Sequence, residues 1–208
     1  MSGLDPHHNP GVAETYLGLL RSRGISYLFA NAGSDFASLI EAYARCDEAE
    51  TAFPVPITVP HENVAIHMAM GYWLVTGQMQ AVMVHVNVGT ANTMCGLLNA
   101  ARANIPLPLS AGRTPINEKG VPGSRNLPIH WTQEMFDQAA MLREVVKWDY
   151  ELRSPEQLQT VVDRALTIAD SEPKGPVPDR PPRPRGAGLL RRSIRAARFV
   201  LRHGSRTG

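Results

Sequence analysis

The feature that most constrains the fold is an alternation of short apolar runs with stretches of helical periodicity. The clearest run is Ala81 to Val86, apolar except for His85, with Gly77 before it and Gly89 after it. Its length and apolarity suit a strand buried on both faces of a sheet. Ile25 to Ala30, Pro56 to Val59, Ile105 to Ser110 and Glu144 to Trp148 read as further strands. Pro106 and Pro108 weaken the run that contains them.

Helical segments lie between these runs. Asn9 as cap and Pro10 in the first turn predict a helix that buries Val12, Tyr16, Leu19 and Leu20 and stops at Arg23-Gly24. Phe36, Leu39, Ile40 and Tyr43 define a second face. His61 to Thr76 is the strongest helix, with Val64, Met68, Tyr72 and Val75 in register. Ala65, Ala69 and Gly71 leave room there for close packing, and Gly77 stops the helix. Gly89 to Asn92 reads as a turn feeding a helix with Met94, Leu97, Leu98 and Ala101 inward. Gly112 to Pro128 reads as loop and Thr132 to Met141 as helix. Ser154-Pro155-Glu156-Gln157 opens a last helix carrying Leu158, Val161, Val162, Ala165 and Ile168. This alternation predicts a three-layer α/β fold, a parallel sheet with helices on both faces. Such folds gather their chemistry at the carboxyl ends of the strands. Segments 31–35, 60–63 and 85–92 fall there.

Charge divides the chain. The 208 residues carry a net charge of +2, but residues 1–170 hold 11 Lys+Arg against 17 Asp+Glu, and residues 171–208 hold 10 against 2. An acidic body and a basic tail exclude a uniformly basic nucleic-acid-binding protein, and no nucleic-acid partner is expected. No apolar run reaches the length of a membrane span. Met1-Ser2-Gly3-Leu4-Asp5 lacks the pattern of a secretory signal, and Cys46 and Cys95 lie in apolar segments without metal-ligand spacing. The expectation is a cytoplasmic protein with reduced core thiols.

The sequence has no G-x-G-x-x-G, Walker loop, H-E-x-x-H or G-x-S-x-G. A constellation remains: Ser34 in a strand-to-helix turn, Glu62 at a helix start, His85 ending a buried strand, and Gly89-Thr90-x-Asn92 opening a helix. Singly, each has a plain structural explanation, as a cap, a helix-dipole partner, a core histidine or a turn.

Together with their order, these residues resemble a known family. His61-Glu62-Asn63-x-Ala65, Met68-Ala69-x-Gly71-Tyr72, Gly89-Thr90-x-Asn92 and Ile105-Pro106 to Gly112 are similar to the amino-terminal, pyrimidine-binding domain of thiamine-diphosphate-dependent 2-keto acid enzymes. Acetolactate synthases are the broad match, over about residues 10–170. Asn31-x-Gly33-Ser34 and His85 lean toward benzoylformate decarboxylases. The resemblance implies thiamine diphosphate as cofactor and Glu62 as the glutamate that hydrogen-bonds a ring nitrogen of its aminopyrimidine. It implies His85 as a proton relay, Asn31, Gly33 and Ser34 as a substrate-facing loop, and Gly89, Thr90 and Asn92 as the turn beside the pyrimidine. It also implies a small 2-keto acid substrate, with either decarboxylation or carboligation, and through acetolactate synthase a place in branched-chain amino-acid biosynthesis. Ala32, where proline is frequent, and Val86-Asn87-Val88 depart from the family pattern.

The resemblance also defines what is missing. The family holds the diphosphate and its magnesium on a second domain with a Gly-Asp-Gly run, and a middle domain binds a flavin in some members. No Gly-Asp-Gly occurs in these 208 residues. The expected organisation is a pyrimidine-binding domain over residues 1–177 and a Pro/Arg-rich, irregular or helical tail over residues 178–208. The final strand of the domain is expected to be lost, because Pro178, Pro181, Pro182 and Pro184 cannot serve a central strand. Three readings follow: a truncated, frameshifted piece inactive alone; a subunit of a split enzyme, completed by a homodimer or partner chain; or a binding module. The last would act through a basic stripe of Arg191, Arg195, Arg198 and Arg202 beside Leu190, Ile194, Ala197 and Leu201. Membrane binding by that tail is the least favoured of these.

Overall fold

A computed structural model of the chain describes residues 11–46, 53–120, 123–178 and 199–202. The helices are α1 (Val12–Ser22), α2 (Ala37–Arg45), α3 (Glu62–Thr76), α4 (Val86–Asn92), α5 (Met94–Arg102), α6 (Ile129–Thr132) and α7 (Leu158–Asp170). The strands are β1 (Tyr27–Asn31), β2 (Val55–Thr58), β3 (Ala81–Val84), β4 (Leu107–Ala111), β5 (Lys147–Tyr150), β6 (Pro176–Pro178) and β7 (Phe199–Arg202). They form one sheet in the order β2-β1-β3-β4-β6-β7-β5. The pairs from β2 to β6 are parallel, and β7 runs antiparallel to β6 and β5.

Strand periodicity builds two cores. Leu28, Ala30, Ala81 and Met83 pack on one face with Tyr16, Leu17 and Leu20 of α1, Leu39 of α2, and Val161, Val162 and Ala165 of α7. Phe29, Val82 and Val84 pack on the other face with Ala65, Ile66 and Ala69 of α3, Leu97 and Ala100 of α5, and Leu142. Alternate residues of β1 and β3 therefore serve opposite layers, as the two-residue repeat of a strand requires. The parallel sheet with helices on both faces is as expected.

Several local expectations differ. Asn9 and Pro10 lie outside the described residues, and Gly11 is the cap of α1, its N–H held by Glu14. Ile40 and Leu98 are exposed rather than inward. In α3 the packing is inverted: Ala65, Ile66, Ala69 and Met70 are buried, whereas Val64, Met68 and Val75 are exposed, Val75 at 86%. The helix is apolar all round, so its periodicity could not say which side meets the sheet. Gly89 to Asn92 lies within α4 rather than in a turn. Thr132 to Met141 is not one helix; α6 ends at Thr132, and a 3-10 segment runs from Ala139 to Val145. Cys95 is exposed and Cys46 half-buried, both as free thiols.

The end of the domain is also corrected. A strand occupies Pro176–Pro178, parallel to β4, where one was expected to be missing. Its two prolines stand at alternate positions, so both lack N–H donors on the same side, and Val177 between them keeps its full pairing capacity. Phe199–Arg202 is extended, so Leu201 and Arg202 do not continue a helical stripe. The other residues of that stripe lie outside the described residues. Among the described residues, no helix is long and apolar enough to cross a membrane.

Candidate functional site

The carboxyl ends of β1 and β3, with the starts of α3 and α4, bring the predicted residues together. His61 caps α3: its Nδ1 accepts the Asn63 N–H at 3.1 Å. This leaves Glu62 in the first turn, where the helix dipole favours a carboxylate. Glu62 is only 6% exposed. Its Oε2 accepts from Asn92 Nδ2 at 2.9 Å. Gly89 faces the other oxygen. A Cβ on Gly89 would lie 3.2 Å from Glu62 Oε1 and 3.1 Å from Val84 Cβ. The absence of a side chain is thus what lets α4 approach Glu62. Thr90 serves differently: its buried hydroxyl donates to the Val86 carbonyl at 2.6 Å and accepts from Gln138 Nε2 at 2.7 Å.

A second cluster adjoins it. His85 Nδ1 lies 2.6 Å from Asp35 Oδ1, and His85 Nε2 lies 3.0 Å from Gln133 Nε2. The other Asp35 oxygen accepts the Val86 N–H at 3.4 Å. The hydrogen bond to Asp35 holds His85 above the ordinary imidazole value; burial opposes this, and the charges of Asp35 and Glu62 add to it. Two glycines make room for the pair. A Cβ on Gly33 would stand 2.2 Å from His85 Nδ1, and one on Gly112 would stand 1.5 Å from Asp35 Oδ2.

Of the predicted substrate loop, Gly33 therefore faces His85 and Ser34 is exposed. Asn31 is half-buried and donates to the Val59 carbonyl at 3.2 Å, tying the ends of β1 and β2. Sequence reasoning missed Asp35, Gln133 and Gln138. Asp35 had a signal, since it follows Ser34 in the same turn. The two glutamines had none, because they arrive from a segment misread as one helix.

The arrangement is compatible with a cofactor that carries a flat heteroaromatic ring. A buried carboxylate at a helix start, held by one side-chain amide and faced by a glycine, is a hydrogen-bonding group that a flat ring can approach. A histidine paired with a carboxylate beside it is a group that exchanges protons near neutrality. Fold and site together describe an α/β domain whose buried carboxylates and histidine gather at its strand ends.

Comparison with known proteins makes this specific: the chain belongs to the thiamine pyrophosphate enzymes, whose N-terminal TPP-binding domain matches residues 11–141. It is 28% identical over 168 residues to the acetolactate synthase large subunit of Haemophilus influenzae, covering 79% of this chain and 26% of that protein. It is 24% identical over 159 residues to benzoylformate decarboxylase of Pseudomonas aeruginosa, covering 76% of this chain and 27% of that protein. Among solved structures it is similar to a thiamine-diphosphate-dependent 4-hydroxybenzoylformate decarboxylase of Rhodococcus jostii, with a TM-score of 0.61 and 28% identity, covering 81% of this chain and 29% of that one. The chain thus spans about a quarter of the length of the curated relatives it matches.

Proposed function

We propose that residues 1–177 supply the pyrimidine side of a thiamine diphosphate site in an enzyme acting on a small 2-keto acid, with residues 178–208 lying outside that domain. The observation that supports this most is Glu62, buried at the start of α3, held by Asn92 and faced by Gly89. Glu62 would hydrogen-bond a ring nitrogen of the aminopyrimidine, and Asn92 would fix the orientation of its carboxylate. Gly89 would leave space for the ring, and Thr90 would anchor α4 through Gln138. When bound, the cofactor supplies the electron sink for cleaving the bond beside the substrate carbonyl.

The chain's own residues position the substrate and move protons. Asn31, Gly33 and Ser34 would form the wall on the substrate side, and His85 would hold or release a proton there. The diphosphate and magnesium would be held by another domain, from a partner chain, since these residues contain no Gly-Asp-Gly. A cytoplasmic setting is part of the same proposal.

The test mixes the full chain with a separately expressed diphosphate-binding domain, thiamine diphosphate and magnesium. Carbon dioxide release is followed from pyruvate and from benzoylformate. Activity is expected in the mixture, and Glu62→Gln is expected to lower it by about 10²-fold, the usual scale for a group acting in proton transfer. An unchanged rate in Glu62→Gln, or an inert mixture, overturns the proposal.

A further inference from the structure

Asp35 and His85 form a unit that the family pattern and the sequence reading do not name. Four features converge on it. Asp35 is 7% exposed and lies against His85 Nδ1. Gly33 and Gly112 each lack the Cβ that would collide with the imidazole ring or with the carboxylate. Gln133 approaches the opposite ring nitrogen. Val86, immediately after the histidine, has φ of 28°, a conformation that a β-branched residue adopts only where its surroundings hold it. The Val86 N–H points at the second oxygen of Asp35.

We infer that Asp35 is a positioning residue which fixes His85 with its proton on Nδ1, leaving Nε2, beside Gln133, as the atom where a proton enters and leaves. This rests on the reading of His85 as the proton-carrying group of the proposed site.

The chemistry follows from donor and acceptor capacity. An ionised carboxylate only accepts, so the ring nitrogen 2.6 Å from Asp35 must donate. In the neutral ring, Nε2 then carries the lone pair and accepts from the Gln133 amide N–H. When Nε2 takes a proton, the ring donates at both nitrogens, and the amide turns to offer its oxygen. The Nδ1 proton stays on Nδ1 throughout. Asp35 and Glu62 are the charged groups acting on the ring, and both favour its protonated form. The ring keeps 17% exposure, which leaves it open to exchange.

The test uses the full chain with 15N-labelled histidine and no cofactor. Long-range proton–nitrogen spectra assign the tautomer, and loss of signals in His85→Gln identifies the residue. Wild type is expected to show protonated Nδ1 and unprotonated Nε2 at alkaline pH. Asp35→Asn is expected to abolish that preference and to lower the His85 titration midpoint, because the hydrogen bond to Asp35 is the largest cause of its rise. Gln133→Ala is expected to keep the Nδ1–H tautomer and shift only the Nε2 resonance. A wild-type ring protonated on Nε2, or an Asp35→Asn ring unchanged in tautomer and midpoint, overturns the inference.

Should Asp35→Asn fail to fold, wild type with 13C-labelled aspartate decides. The Asp35 carboxyl resonance must step at the His85 midpoint, and a flat response overturns the inference. These spectra need no turnover. An inert reconstituted mixture with the stated tautomer sinks the proposed function, whereas activity with the wrong tautomer sinks only this inference.

Discussion

The Asp35–His85 pair ties stability to pH in a direction fixed by its geometry. The imidazole holds its proton more tightly in the folded chain than its ordinary value of 6.5, first because of the hydrogen bond to Asp35. The folded state therefore binds more protons than the unfolded one between that value and the raised midpoint. The stabilisation is complete below the unfolded value and is lost as pH rises through the folded midpoint. Urea unfolding at a series of pH values should show stability falling across that window, and Gly33→Ala should remove the fall. A Cβ on Gly33 would stand only 2.2 Å from His85 Nδ1, so the ring must leave its place beside Asp35. Persistence of the full dependence in Gly33→Ala would sink the account. Glu62, His85 and Asn92 were legible at this scale because their side chains carry chemistry in a recognisable order. Asp35 could be noticed beside Ser34, but its pairing with His85 was not legible, because it depends on space that Gly33 and Gly112 leave open.

The third helix shows what an element can hide. Strand β3 was found in its place, although it ends at Val84 rather than Val86, because all four of its residues are buried and no choice of face arises. Helix α3 demanded such a choice. Ala65, Ile66, Ala69 and Met70 are buried, whereas Val64, Met68, Leu74 and Val75 are exposed. Gly96 of α5 fits the same arrangement: a Cβ there would meet Ile66 Cγ2 at 2.6 Å, so α5 approaches α3 closely where Gly96 has no side chain. Ala69→Leu should overfill the layer it shares with Phe29, Val82 and Leu97 and destabilise the chain by about 1–3 kcal/mol. Val75→Lys, at a position 86% exposed, should stay within about 0.5 kcal/mol of wild type. Thermal and urea unfolding of the two variants side by side separates these faces. The reverse ranking would return the helix to the orientation its large apolar residues suggested.

For the whole molecule, the question is how much of the chain makes the domain. Both core layers are assembled by residues between α1 and β6, with Val177 packed into the layer of Leu17, Met83 and Val162. Lys147 of β5 fastens the end of α7 through hydrogen bonds to the Ile168 and Ser171 carbonyls, each at 2.6 Å. The sheet is thereby tied to the last helix just before β6. Beyond it, β7 adds an antiparallel strand between β6 and β5. The charge boundary near residue 171 told that the composition changes, but not that a parallel strand still follows it. Among the described residues, a chain ending at Pro178 keeps both layers and β6, and loses β7, the strand through which β5 joins the sheet. The slope of unfolding free energy against denaturant follows the surface exposed. That slope should therefore remain within about 15% of the full chain's, the usual uncertainty of such extrapolation, with one cooperative transition. The midpoint should fall modestly as the β7 hydrogen bonds are lost. A broad or multistep transition in the shortened chain would show that residues beyond Pro178 are part of the domain after all.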